Sequence, residues 1–147
     1  MEPAPGLRAS VRIVVSDDDT AITAGSGDVP VLATPRLLAL AEAAAVAAVA
    51  PALAPELTSV GTGMSLEHRR ASPVGAEVVV EAELTEVDGR RLVFSFIARQ
   101  SPPRPGQPGA GQPGGDEDGE PDHVVGAGTV ERVVVDRAKF LARVPRL

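Results

Sequence analysis

The chain has 147 residues, a length that favours one domain with one sizeable core. Hydrophobic residues make up 44% of it but aromatic residues only 2%, so the core must be built mainly from Ala, Val and Leu. No cysteine is present, which excludes disulfides and thiolate metal sites, and the two histidines are too few for a multi-histidine metal site. The net charge of −6 disfavours nucleic acid as the main partner.

The sequence does not suggest a membrane protein. The first ten residues, MEPAPGLRAS, lack the basic and apolar regions of a signal peptide. Residues 37–54 approach the length of a membrane span, but a central Glu42 is costly there and alanine contributes little insertion energy. We therefore expect a soluble, cytoplasmic protein with no membrane partner.

The first half of the chain predicts a strand followed by a long helix. Apolar and polar residues alternate over 7–15, which is typical of a strand. After a polar stretch, Thr34 is a candidate N-cap and Pro35 a candidate first helical residue, and the helix should end near Pro51. Eight of residues 37–50 are alanine and nearly all the rest are apolar, which predicts a helix buried on all sides.

After the helix the apolar period changes to two, which predicts an antiparallel sheet. The first of these strands, within 58–72, should carry Val60, Thr62, Met64, Leu66 and His68 on one face. Further strands are predicted within 76–88, 90–100 and 123–136, with a hairpin turn at Asp88-Gly89 and a short terminal helix at 137–144. The predicted order is β-α-β-β-β-β, an α+β chain in which the sheet wraps one long Ala-rich helix.

Residues 101–122 interrupt this pattern. The segment contains six Pro and six Gly among 22 residues and no large apolar side chain, so burial cannot offset the entropy of ordering it. Because it lies between two predicted strands, we interpret it as a flexible insertion within a single domain of residues 1–147.

Four residues within the pattern are candidates for chemistry. Glu42 stands among apolar neighbours, and carboxylates are almost never buried without a partner, which favours a functional role. His68 shares its predicted strand face with apolar residues, where a structural role would alone be the more common one. Thr34 is fully explained as a helix cap. Gly61 would weaken a strand but admit a ligand close to its backbone, although a β-bulge explains it equally well.

Three segments together resemble the fluoroacetyl-CoA thioesterase-like family of the hot-dog fold: VLATPRLLALAEAAAVAAVAP, SVGTGMSLEHRRASPVGAEVVVEAELTEVDGRRLVFSF and GAGTVERVVVDRAKFLARV. The resemblance implies catalytic roles for Thr34, Glu42 and His68. It also implies that Gly61 and Arg132, the arginine of the GT-x-ER strand, bind substrate. The family's phenylalanine upstream of the threonine has no counterpart in GDVPVLAT, so the resemblance does not fix fluoroacetyl-CoA as the substrate.

The function that the resemblance implies is hydrolysis of a small acyl-CoA, with His68 as general base activating Thr34 or a water. Coenzyme A enters only as part of the substrate, so no cofactor is needed.

Hot-dog proteins usually dimerise with active sites at the interface, and a homodimer is expected here. Eight residues of helix separate Thr34 from Glu42 by about 12 Å, so either His68 bridges them or a second subunit completes the site. The alternatives are a non-catalytic acyl-CoA-binding module and a structural dimer in which Glu42 pairs with a partner-chain arginine.

Overall fold

The structure is a computed structural model that describes residues 2–102 and 123–147. It contains five strands, β1 (Arg8–Val14), β2 (Leu57–His68), β3 (Glu77–Asp88), β4 (Arg91–Gln100) and β5 (Val124–Asp136), and three helices, α1 (Ala21–Ala24), α2 (Thr34–Val49) and α3 (Arg137–Ala142). The predicted order is confirmed, with the short α1 as an addition. Most of the predicted insertion at 101–122 lies outside the described residues, so its flexibility and the single-domain assignment stay predictions.

The strands form one antiparallel sheet in the order β1-β3-β4-β5-β2. The predicted Asp88-Gly89 hairpin joins β3 to β4, and Gly89 adopts a φ of 59°, a left-handed conformation that glycine takes at little cost. Glycine also allows β5 to approach β2: a Cβ on Gly126 would lie 2.6 Å from the Glu67 carbonyl oxygen. This β5–β2 pairing places the two strands that carry the candidate site residues side by side.

Helix α2 packs on the inner face of the sheet, mainly against β1 and β3. Its buried side is dominated by small and branched residues, so the helix lies close to the sheet; the buried residues are Leu37, Leu40, Ala41, Ala44, Ala45, Ala48 and Val49. With its extension to Ala52 the helix is apolar and long enough to cross a membrane. However, 44% of its most apolar 18-residue stretch is buried inside the protein. This is the position of a core helix.

The prediction that α2 is buried on all sides is wrong for the single chain. Its other face is exposed, including Ala39, Ala43 and Ala47, and Val46 is 43% exposed. The physical reason is that the helix lies over β1 and β3 and makes few contacts with β2 and β5. An apolar helix face and part of the inner sheet surface are therefore open.

A β-bulge corrects the predicted face of β2. The pairing with β5 shifts between Gly61 and Gly63, so Thr62 is an extra residue and the alternation of side chains reverses there. Met64, Leu66 and His68 keep the face predicted for them, but Val60 lies on the other side of the sheet, and Thr62 is no longer part of the alternation. The bulge brings Gly61 onto the same inner face as His68.

The predicted N-cap is also one residue off. Ala33 precedes α2 in an extended conformation, with φ −70° and ψ 141°, and Thr34 is the first helical residue. The Thr34 hydroxyl does not cap the helix because it is hydrogen-bonded to a side chain of β2. Pro35 is accordingly the second helical residue and not the first, but it still lies in the first turn, where a missing N–H costs nothing.

Candidate active site

Thr34 and His68 form one half of the candidate site. Thr34 begins α2 and His68 ends β2, and the Thr34 Oγ1 lies 2.8 Å from the His68 Nδ1. This is a strong hydrogen-bond distance for a hydroxyl and an imidazole nitrogen. It is the arrangement in which an imidazole can take a proton from a hydroxyl, provided that the ring proton is on Nε2.

The environment of His68 favours the neutral imidazole. Burial lowers the pKa of His68 below its usual value, and the backbone of Arg70 raises it by a smaller amount. Among the described residues, the buried Nε2 has no hydrogen-bond partner. A neutral ring at neutral pH is what a general base requires.

Glu42 and Arg132 form the other half. Arg132, on β5, donates from Nη1 to Glu42 Oε2 at 2.9 Å, from Nε to Ser59 Oγ at 2.8 Å and from Nη2 to the Ser59 carbonyl at 2.8 Å. The Arg132 side chain is therefore buried, 8% exposed, while the Glu42 side chain is 33% exposed. Glu42 thus has an intrachain partner, which removes the basis for pairing it with an arginine of another chain.

Arg132 was expected to bind substrate, and the structure shows its guanidinium bound by Glu42 and Ser59. That position is suited to fixing the carboxylate, and a role in substrate binding stays a prediction. Ser59 was missed by sequence reasoning. Its signal was only its position two residues before Gly61, which puts both on the inner face of β2.

Gly61 lies directly against Glu42. A Cβ at Gly61 would be 2.6 Å from Glu42 Oε2, closer than real side-chain contacts allow, and 3.4 Å from Arg132 Nη1. The absence of a side chain is therefore what lets the carboxylate sit over β2. Gly63 lies two residues along the same strand, and a Cβ there would meet nothing within 4 Å.

These two glycines give a matched test. Gly61→Ala should displace the Glu42 carboxylate and lower kcat at least about tenfold, since a misplacement of about 1 Å can cost more than that. Gly63→Ala should leave kcat within about twofold. Steady-state hydrolysis of an acyl-CoA by both variants is the measurement, with thermal unfolding as the control for folding. Equal effects of the two substitutions would contradict close contact between Gly61 and Glu42.

The two halves do not meet within one chain. In the described part of the chain, the hydrogen bonds and ion pairs join His68 to Thr34 and Glu42 to Arg132, and none joins His68 to Glu42. Thr34 and Glu42 are about two turns of α2 apart, which is about 12 Å along the helix axis. The sequence left two ways to complete the site, a bridge through His68 or a second subunit. The bridge between Thr34 and Glu42 through His68 is not observed.

An ion pair that the sequence did not reveal holds the start of α2. Arg36 donates from Nε to Asp19 Oδ1 at 2.8 Å, and the Ala33 amide donates to the Asp19 carbonyl at 2.9 Å. Burial raises the pKa of Asp19, but hydrogen bonds from Arg36 and Ser16 outweigh it and hold the pKa below its usual value. Asp19 thus holds the start of α2 in two ways, through its backbone carbonyl at Ala33 and through its carboxylate at Arg36.

Other charged residues near the strand ends are occupied elsewhere. Arg69 pairs with Glu67 at 3.0 Å and Arg91 with Glu131 at 2.9 Å, both at exposed positions. Residues 2–102 and 123–147 contain no group of three or more His, Asp or Glu side chains arranged to hold a metal ion. The expectation of metal-free chemistry is not tested by this.

Comparison with known proteins identifies the family of the chain. The family model of the fluoroacetyl-CoA-specific thioesterase FlK matches residues 15–104. A fluoroacetyl-CoA thioesterase from Streptantibioticus cattleyicolor is 38% identical over 114 residues, which cover 78% of this chain and 68% of that protein.

Solved structures give the same result. A threonine-to-serine variant of FlK in complex with acetyl-CoA matches with a TM-score of 0.76 and 31% identity over 96% of each chain. A hot-dog-like protein from Thermanaerovibrio acidaminovorans, at 20% identity and a TM-score of 0.71 over 97% of this chain and 94% of its own, shares the fold. This chain has a hot-dog fold and belongs to the family of fluoroacetyl-CoA-specific thioesterases.

Proposed function

We propose that this chain hydrolyses the thioester of a small acyl-CoA with Thr34, His68 and Glu42. Family membership makes the chain a thioester hydrolase acting on acyl-CoA. The observation that carries the residue assignment is the 2.8 Å contact between Thr34 Oγ1 and His68 Nδ1, made by a histidine whose pKa burial lowers.

The proposed chemistry begins at His68. Its neutral Nδ1 accepts the proton of Thr34, or of a water bound in its place, and the oxygen attacks the thioester carbonyl carbon. The carbon–sulfur bond then breaks and the thiolate of coenzyme A leaves with the proton returned by His68. If Thr34 is the nucleophile, a second cycle with water releases the acid from the threonine ester. The products are the free acid and coenzyme A.

Glu42 supplies the second function. Arg132 binds its Oε2 and fixes the carboxylate on the inner face of β2. From there the carboxylate can orient a water or stabilise the imidazolium that forms during attack. We expect a backbone amide near Gly61 to stabilise the oxyanion, an interaction worth about 3 kcal/mol where such donors have been removed.

We propose that a second copy of the chain completes the site. The Thr34–His68 pair and Glu42 both border the open face of α2, and that face is apolar at Ala39 and Ala43. In the described part of the chain, β2 is a twelve-residue edge strand, and long uncovered edges are usually paired. A two-fold contact along β2 and α2 would place Glu42 of one protomer near the Thr34–His68 pair of its partner, and the reciprocal contact follows by symmetry.

The test of the proposed function is release of free thiol from a panel of acyl-CoA thioesters, from acetyl and fluoroacetyl to long-chain. The expected result is hydrolysis of at least one member at a rate well above the uncatalysed reaction. A folded protein that binds acyl-CoA but releases no thiol from any member would instead be a non-catalytic binding module. Gel filtration with light scattering of the same sample reports whether it is a dimer.

A further inference from the structure

Asp19 is a carboxylate, largely shielded from solvent, that the proposed chemistry does not use. Its side chain is 12% exposed, and both of its carboxylate oxygens are occupied. Oδ1 accepts from Arg36 Nε at 2.8 Å, and Oδ2 accepts from the Ser16 amide at 2.9 Å and from the Ser16 hydroxyl at 3.0 Å. These contacts bind the ionised form, so Asp19 is an anion at neutral pH.

The groups that Asp19 binds lie on both sides of Thr34 in the chain. Its backbone carbonyl accepts from the Ala33 amide at 2.9 Å, one residue before Thr34, and its carboxylate binds Arg36, two residues after Thr34. The Thr34 hydroxyl is hydrogen-bonded to His68 Nδ1 at 2.8 Å. A shift of the chain at Asp19 would therefore move the backbone that carries this hydroxyl.

The first turn of α2 lacks the features that usually hold a helix start. Ala33 precedes the helix and has no side-chain oxygen to cap the free amides, and the Thr34 hydroxyl is engaged by His68. The first turn carries no acidic residue, and Arg36 places a cation near the positive end of the helix dipole. Asp19 supplies, from outside the helix, the acceptor and the negative charge that the first turn lacks.

Asp19 can serve as an anchor because the turn that carries it is itself fixed. A 3-10 turn, Asp17–Asp19, leads through Thr20 into α1. Thr20 is buried, and its hydroxyl donates at 2.8 Å to the backbone carbonyl that starts the turn. On the other side of the turn, the amide of the buried Val15 donates to the Ala76 carbonyl at 2.8 Å. The turn is thereby tied to the start of β3.

We propose that Asp19 is a positioning residue for Thr34, which through the Ala33 amide and the Arg36 side chain holds the Thr34 hydroxyl within hydrogen-bond reach of His68. The inference rests on the proposed function, in which His68 activates this hydroxyl or a water in its place. The role assigned to Asp19 is placement of the first turn of α2. Its loss should therefore affect kcat more than KM.

Two substitutions test this role from the two ends of the ion pair. Asp19→Asn removes the negative charge, and Arg36→Gln removes the cation at a side chain that is 39% exposed and tolerant of change. Each should lower kcat at least about tenfold with KM within about twofold, since a misplacement of about 1 Å can cost about 100-fold. Arg36→Lys keeps the charge and should stay within about threefold of the wild-type kcat.

The matched controls separate position from charge and from stability. Asp18→Asn changes an exposed aspartate of the same turn and should behave as wild type. Leu92→Val removes a buried methylene beside Ala52, beyond the C-terminal end of α2, and should lower Tm but keep the wild-type kcat. Equal losses of kcat in Asp19→Asn and Leu92→Val would show that Asp19 acts only through stability, which would overturn the proposal.

A second measurement needs no turnover. In the neutral imidazole, the NMR nitrogen shift of His68 Nδ1 depends on whether that atom accepts a hydrogen bond. Thr34→Val, which lacks the hydroxyl, gives the shift without this bond. Asp19→Asn should move the wild-type shift towards the Thr34→Val value, and Asp18→Asn should leave it unchanged.

The outcomes separate this proposal from the proposed function. A wild-type nitrogen shift together with full kcat in Asp19→Asn would overturn the positioning role. In an active enzyme, a change in only one of the two would overturn it as well, because Asp19 would then act by another route. A displaced His68 shift in a protein that hydrolyses no acyl-CoA would support the positioning role and refute the thioesterase mechanism.

Discussion

Replacing Glu42 with Gln is expected to lower kcat for acyl-CoA hydrolysis by about 100-fold or more with little loss of folding. The amide oxygen can still accept the hydrogen bond from Arg132 Nη1, but the negative charge that acts on water or imidazolium is gone. Thiol-release kinetics measure the effect, and thermal unfolding checks the fold. Glu81→Gln, an exposed glutamate on β3, is the matched control and should behave as wild type.

Glu42→Ala should in addition be destabilising. It leaves the buried Arg132 side chain, 8% exposed, without its carboxylate partner. Removing one partner of a fully buried pair costs about 3–5 kcal/mol, and a smaller loss of about 1–3 kcal/mol is expected here because Glu42 is one-third exposed. If Glu42→Gln retained full activity while Glu42→Ala only lost stability, Glu42 would be a structural partner of Arg132 and not a catalytic group.

His68→Ala is expected to lower kcat/KM by about 100-fold or more at neutral pH, because no other imidazole lies beside Thr34. The wild-type pH profile should report the same group. A general base works only when neutral, and burial lowers the pKa of His68, so kcat/KM should stay high as the pH falls to 6.5 and decline only below that value.

The measurement is kcat/KM from pH 5 to 9 for wild type and His68→Ala, with His123→Ala as the histidine control. His123→Ala should keep the acid limb of the wild type, and His68→Ala should lose it. An acid limb above pH 6.5 in the wild type would show that a nearby negative charge, and not burial, controls the imidazole.

The elements of this fold were predictable because their signals are local and strong. The apolar run with Pro35 near its start predicted α2, and the alternation of residues with Asp88-Gly89 predicted the β3–β4 hairpin. The open face of α2 was not predictable from composition. An alanine that packs on a sheet and one that faces an open surface are the same residue, and only the lateral position of the helix over β1 and β3 distinguishes them.

The site was predictable in its members but not in its pairing. The resemblance pointed to Thr34, Glu42 and His68, and the helical rise correctly implied that Thr34 and Glu42 do not touch. Nothing in the sequence indicates that Arg132 turns inward beneath Glu42, because an arginine on a β-strand most often faces solvent. A β-bulge at Gly61 was one of the two explanations drawn from the sequence, and the structure has it between Gly61 and Gly63. The predicted alternation of β2 nevertheless ignored it, and the bulge decides which residues of β2 face the helix.

Subunit complementation tests the central claim, a catalytic site assembled from Thr34 and His68 of one chain and Glu42 of another. Two inactive variants, His68→Ala and Glu42→Gln, are unfolded and refolded together so that mixed dimers form. Half of the dimers should be mixed, and each mixed dimer has one site in which every catalytic residue is intact. The account therefore predicts recovery of about one quarter of wild-type activity. Activity no higher than that of the separate variants, in a mixture shown by mass spectrometry to contain mixed dimers, would contradict it.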